Sequence, residues 1–303
     1  MTSLLQEPHD PADRTPAFKF SVVSSLHYRV TAPSTLLCSL RCIRQDEQSV
    51  TRESLTANRK VRITDLSLGP TANRFSRIDI DESGPLSLQY LAVVENRVET
   101  LDAARIGGVG IRSLRPEAIP YLYPSRYAPS DQLRDLAKEL FGGEPTQFLQ
   151  AMAVEDWLHD NIRYLSGSSN ELTSADETYR NRAGVCRDFS HLGIAFCRAL
   201  TIPARYVTVY AHQLEPEDFH AVFEVYLDGA WFLIDGTRRA PLNGMVRIAV
   251  GRDASDAAVA TLFGSLEGVG VRASSEYAVE NDQPFAPLTR EDLRRDNLAF
   301  CLL

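Results

Sequence analysis

Residues 183–191 read Ala-Gly-Val-Cys-Arg-Asp-Phe-Ser-His, and the thiol in that stretch is the side chain best suited to attack a carbonyl carbon. From Asp188 onward the apolar residues Phe189, Leu192, Phe196 and Leu200 recur at three- and four-residue intervals, which predicts a helix with one buried stripe, ended by Pro203. Cys186 then stands at the helix start, where unpaired N–H groups and the helix dipole favour a thiolate. A base and a carboxylate are supplied by His-Ala-Val-Phe-Glu-Val-Tyr-Leu, Asp228-Gly229 and Ala-Trp-Phe-Leu-Ile-Asp, which read as a hairpin on a two-residue turn. Pairing Leu227 with Ala230 makes partner numbers sum to 457, so Val222 faces Asp235 and His220 faces Thr237. His220 and Asp235 become diagonal neighbours on one face, roughly 7–8 Å apart at the backbone. The other face, with Ala221, Phe223, Val225, Leu227, Phe232 and Ile234, is uniformly apolar and is predicted to be core. A thiol at a helix end, an imidazole and a carboxylate to hold its tautomer are the parts of an activated nucleophile, and the Cys186 backbone N–H could donate to an oxyanion.

Other residues of the right type are placed less well. His191 is five residues from Cys186, about 140° round the helix, and is expected to make a structural hydrogen bond. His212, at a strand end, is the rival base but has no carboxylate at hairpin reach. Cys197 lies in the apolar part of the helix, and Cys38 and Cys42 share one strand parity, all three expected to be packing residues. A zinc site from Cys186, His191, Cys197 and His212 fits no standard ligand spacing, so no metal is expected. Asp188 reads as a partner for first-turn N–H groups. Arg252, Asp253 and Asp256 read as a turn and a helix cap, and the acidic loop before His220 as a solvated rim of the cleft.

Several elements must hold these groups in place. Residues 1–17 are polar, proline-containing and aperiodic, a predicted mobile leader. Residues 18–112 form a predicted β-domain, a sandwich of short strands over 25–32, 34–42, 60–68, 73–81 and 86–94, with Asp81-Glu82-Ser83-Gly84 the clearest hairpin signal. Residues 113–130 carry four prolines and read as a linker. A catalytic domain over 131–285 follows. It has helices over 130–142 and 144–164, a polar loop with a short helical turn over 167–184, the cysteine helix, a strand over 204–212 and the hairpin. Residues 246–266 read as a strand, a turn and a short helix, residues 274–281 as a closing strand, and 286–303 as a tail packing on the domains.

The chain has 303 residues, 44% hydrophobic and 24% charged, with a net charge of −8. That acidic balance argues against nucleic acid or an anionic membrane as partner. Five scattered cysteines suggest no disulfide framework, and no secretory signal or membrane-length apolar run is readable, so a cytoplasmic location is expected.

The order Cys, His, Asp across Gly-Val-Cys-Arg-Asp-Phe-Ser-His, His-Ala-Val-Phe-Glu-Val-Tyr and Trp-Phe-Leu-Ile-Asp-Gly-Thr resembles the transglutaminase-like superfamily, a papain-like thiol fold. The β-rich region from about residue 20, Tyr-Leu-Tyr-Pro-Ser-Arg-Tyr-Ala-Pro-Ser-Asp, and Arg-Ile-Ala-Val-Gly-Arg-Asp-Ala-Ser-Asp-Ala-Ala-Val-Ala-Thr-Leu-Phe-Gly are similar to the bacterial subgroup with an N-terminal β-domain. The resemblance covers most of the chain beyond the leader. It implies an α+β fold: an N-terminal antiparallel β-sandwich followed by a papain-like transglutaminase core, its cysteine helix packed on an antiparallel sheet. It also implies Cys186 as nucleophile, His220 as base and Asp235 as orienting residue. The chain departs from its relatives at Val222, where Trp is common, at Gly236 and Arg238, where Pro and Asn are frequent, and at Arg187, where Gln is frequent. The expected chemistry is hydrolysis of a peptide, amide or ester substrate through an acyl-enzyme, with no cofactor. Transamidation to an amine and a catalytically silent interaction module are the alternatives, and the oligomeric state, a homo-oligomer included, is left open.

Overall fold

In this computed structural model residues 17–67, 71–278 and 284–302 are described, so the expected leader lies, apart from Ala17, outside them. The first strand, β1 (Ala17–Cys38), buries every second side chain, among them Phe20, Val22, Leu26, Tyr28 and Val30, as a pleated strand with one covered face must. Two short strands were expected here. The chain instead runs straight through Pro33, which sits where pairing with a later strand is interrupted and no partner needs its missing N–H.

β2 (Gln48–Ala57), β3 (Arg62–Ser67), β4 (Arg74–Ile80) and β5 (Gly84–Asp102) complete the first part of the β-domain. The expected hairpin at residues 81–84 is corrected: β4 and β5 do not pair with each other. They lie end to end along one edge of β1 in a single register, from Cys38 opposite Ser76 to Ala17 opposite Arg97. Turn-forming residues there mark a break in the ladder, not a reversal, because β1 is long enough to need two successive partners. The strands of the expected sandwich are hydrogen-bonded into one seven-stranded sheet.

The proline-rich connection winds into a short helical segment over Pro116–Leu122 that buries Ala118 and Tyr121. The core then begins with α1 (Arg134–Phe141) and α2 (Gln147–Asn161), the latter capped by Thr146. β6 (Arg163–Tyr164), α3 (Ala175–Asn181), β7 (Ala183–Gly184) and α4 (Cys186–Ala199) follow. β8 (Ala204–Ala211), β9 (Phe219–Leu227), β10 (Ala230–Ile234) and β11 (Met245–Gly251) form an antiparallel sheet in the order β10-β9-β8-β11, with α4 laid against it.

The last third of the chain departs from the sequence reading. The helix expected before residue 266 is absent: β12 (Ala260–Tyr277) is a strand of 18 residues, paired with β1 from end to end. It lies within the span assigned to the catalytic domain, yet it completes the N-terminal sheet. After α5 (Arg290–Asp296), β13 (Leu298–Leu302) also returns, pairing with the end of β5. One cluster of buried apolar side chains accordingly spans both parts, with Phe20 and Tyr90 in the same core as Phe196 and Phe223.

Candidate active site

Cys186 is the first residue of α4. The helix starts there because Asp188 folds back to accept the Val185 N–H at 2.8 Å, which satisfies one of the donors a helix start leaves open. A Cβ on Gly184 would stand 2.7 Å from the Asp188 side chain, so only glycine allows this return. Asp188 is fully buried and also accepts from the Ser169 hydroxyl and Arg187, the structural role expected of it.

His220 lies near the start of β9, and Asp235 directly follows β10. The hairpin register is the expected one, with Leu227 opposite Ala230 and Phe223 opposite Ile234, and Asp228 and Gly229 both have positive φ, as a tight two-residue turn requires. The His220 Nε2 is 2.9 Å from Asp235 Oδ2, and both side chains are buried. The second Asp235 oxygen accepts the Thr237 backbone N–H at 2.9 Å and its hydroxyl at 2.7 Å, which fixes the carboxylate plane. With Nε2 occupied, Nδ1 is the nitrogen left for the Cys186 thiol, which lies close to the ring. Burial by itself would lower the His220 pKa, but the Asp235 charge, its hydrogen bond and the Cys186 thiol together raise it to about 10. Asp235 moves the other way: burial opposes ionisation, but His220 and Thr237 hold the carboxyl below its ordinary range.

These groups open onto a cleft of about 880 Å³ between the two parts of the molecule, with Cys186 and His220 in one wall. Tyr127, Tyr206 and Phe219 line the core side, and Leu262 and Val271 of β12 the other, so the β-domain supplies part of the wall. Asp218 and Glu171 mark an acidic rim beside Arg187. Burial raises the Asp218 pKa against the pull of the Phe219 N–H and His220.

The other sequence candidates are placed elsewhere. His191 is buried between the Tyr127 and Tyr206 rings and accepts the Ala254 N–H at 3.1 Å; burial lowers its pKa to about 3, so it is neutral. His212 turns to the Ser275 carbonyl at 2.8 Å among Phe20, Tyr277 and Phe285. Cys38, Cys42 and Cys197 are buried, and desolvation pushes each thiol up to about 12. Arg252 pairs with Asp256, and the buried Asp253 accepts the Tyr127 N–H at 2.9 Å, as a turn with no helix after it. Among the described residues no cluster suited to a metal ion is found.

Two features escaped the sequence reading. Tyr164 is set beside the nucleophile by parallel pairing of β6 with β7, its hydroxyl near Cys186. Behind Asp235, the buried Glu155 takes Arg290 at 2.8 Å and Arg238 at 3.5 Å. Burial raises its pKa to about 7 even against those two charges. The Arg238 departure thus comes with partners of its own, since it also reaches Asp156. Only their distance in sequence hid this cluster.

Residues 134–236 match the family model of the transglutaminase-like superfamily, a span that contains Cys186, His220 and Asp235. Residues 18–116 match the bacterial transglutaminase N-terminal domain. A crystal structure from Cytophaga hutchinsonii, described as a "Putative Cysteine Protease", is 39% identical, covers 95% of this chain and 99% of its own, and superposes with a TM-score of 0.90. An uncharacterised protein of Mycobacterium leprae is 26% identical over 277 residues, which is 84% of this chain and 95% of that protein.

Proposed function

Because the chain belongs to the transglutaminase-like superfamily, we propose that it is a thiol-dependent acyl-transfer enzyme that hydrolyses a peptide or amide bond with Cys186, His220 and Asp235. The observation that carries this reading is the position of His220, with Nε2 on Asp235 and the ring's other side toward a thiol at a helix N-terminus, at the wall of a cleft. The description of the Cytophaga hutchinsonii relative as a "Putative Cysteine Protease" points the same way.

The steps follow from that arrangement. His220 takes the thiol proton and remains as imidazolium beside the Asp235 carboxylate. The thiolate attacks the carbonyl carbon, and the C=O electron pair moves onto oxygen, where the Cys186 backbone N–H can donate. When the intermediate collapses, the C–N bond breaks and the leaving nitrogen takes the His220 proton. Water, deprotonated by His220, then attacks the thioester and releases the acid, and the proton returns to the thiol. An amine in place of water would give transamidation. Hydrolysis is favoured because water needs no acceptor site of its own.

The test is a panel of peptide amides and activated esters, with and without a primary amine, read by intact mass and product analysis. An acyl adduct on Cys186 resolving to free acid, absent from Cys186→Ala, is the expected result. Resolution only in the presence of the amine would assign transamidation, and no adduct with any substrate would leave the silent interaction module.

A further inference from the structure

The proposed chemistry needs a second donor at the oxyanion, since one backbone N–H leaves half of the developing charge uncovered. Tyr164 stands beside the nucleophile. β6 pairs in parallel with β7, placing Tyr164 opposite Gly184, two residues before the nucleophile. The Leu165 N–H on the Gly184 carbonyl at 2.9 Å and the Arg163 N–H on the Arg182 carbonyl at 2.9 Å fix that register from both sides. The ring is held from two directions. Phe189 of α4 lies 6.0 Å from it, and the Arg239 guanidinium sits 4.5 Å over its face, four residues beyond Asp235. The hydroxyl lies near the thiol and the backbone N–H of Cys186. Burial and the neighbouring Cys186 push its pKa up to about 12, so it remains a neutral O–H with a proton to donate.

We propose that the Tyr164 hydroxyl is the second oxyanion donor, acting with the Cys186 backbone N–H on the carbonyl oxygen of the bound substrate. The inference rests on the acyl-transfer reading and deepens it. In the free protein the hydroxyl lies beside the Cys186 N–H. Tyr164 is 37% exposed, so the hydroxyl can swing aside for an entering carbonyl oxygen and turn its proton onto it. As the thiolate adds, the oxygen gains the carbonyl electron pair and accepts from both groups. On collapse the pair returns to the C=O bond, and the tyrosine keeps its proton throughout.

Two reactions of the same thiol separate this role from general support of the site. Iodoacetamide alkylates by displacing iodide and builds no oxyanion, whereas 4-nitrophenyl acetate acylates through a tetrahedral one. Tyr164→Phe keeps the ring, and with it the Phe189 and Arg239 contacts. It is expected to leave the alkylation rate of Cys186 within about twofold while cutting the acylation burst at least tenfold, toward the about 10²–10³ typical of a lost oxyanion donor. The unchanged alkylation also shows that the variant folds. Equal losses in both reactions would make Tyr164 a structural support and overturn the proposal. Unchanged or faster acylation would overturn it too, the latter exposing the hydroxyl as a plug. A wild-type protein that alkylates but gives no burst would end the acyl-transfer reading itself, which is a different failure.

Discussion

At the scale of single residues, the site is a contest between burial and charge. His220 and Asp235 lie in a region that excludes water, where either charge alone would be costly, and each is ionised because of the other. The sign of the pH dependence follows. The folded His220 pKa of about 10 lies above its unfolded value, so its contribution to stability is complete below about pH 6.5 and is lost as pH rises through about 10. Asp235, shifted downward, contributes above the ordinary carboxylate range and loses that contribution in acid. Urea unfolding of His220→Gln is therefore expected to show a larger deficit against wild type at pH 6 than at pH 10.5; equal deficits would mean that the pair carries no charge. His220 and Asp235 were legible in the sequence because a two-residue turn fixes strand parity by counting, and Cys186 because the apolar spacing after it marks a helix start. Tyr164 was not: its place depends on two strands of two residues each, too short to leave a period.

At the scale of elements, what matters is how closely α4 approaches β9, because the helix carries the thiol and the strand the imidazole. Gly193 makes that approach possible: a Cβ there would stand 2.6 Å from the Phe223 ring and 3.1 Å from Leu158. Gly193→Ala is expected to push the helix off the sheet, costing about 1–3 kcal/mol as core overpacking does. The same shift would slow Cys186 alkylation at neutral pH by moving the thiol away from His220. A variant as stable and as reactive as wild type would show that the helix has room to spare. Element type was readable from residue period through α4 and the hairpin. It failed before residue 266, where the short helix expected after the turn is instead, from Ala260 on, a strand recruited by the open edge of β1.

At the scale of the whole molecule, the two regions matched by separate families share structure. β12 and β13 leave the core to complete the N-terminal sheet. In return, side-chain amides of the β-domain cover the free edge of β11 as a neighbouring strand would. Gln48 accepts the Arg247 N–H at 2.7 Å and donates to its carbonyl at 2.9 Å, Asn73 does the same for Val250 at 2.8 and 2.7 Å, and Asn96 donates to the Met245 carbonyl at 2.7 Å. Calorimetry is expected to show one cooperative transition, and two resolved transitions would contradict this coupling. Asn73→Leu, which strands a buried N–H and C=O, is expected to lower stability by about 2 kcal/mol or more. None of this was visible in the chain, since polar amides in a β-domain read as surface until their partner is in place.

The central claim is that His220 activates Cys186, and the most direct measurement is iodoacetamide labelling of the intact protein from pH 5 to 9, read by mass. We predict a single label, on Cys186, at a rate that holds from pH 8 down to about pH 6 in wild type and falls at least tenfold at pH 6 in His220→Gln. The buried thiols Cys38, Cys42 and Cys197 stay unlabelled. Labelling of Cys186 only above about pH 8, at the same rate in both proteins, would contradict the account.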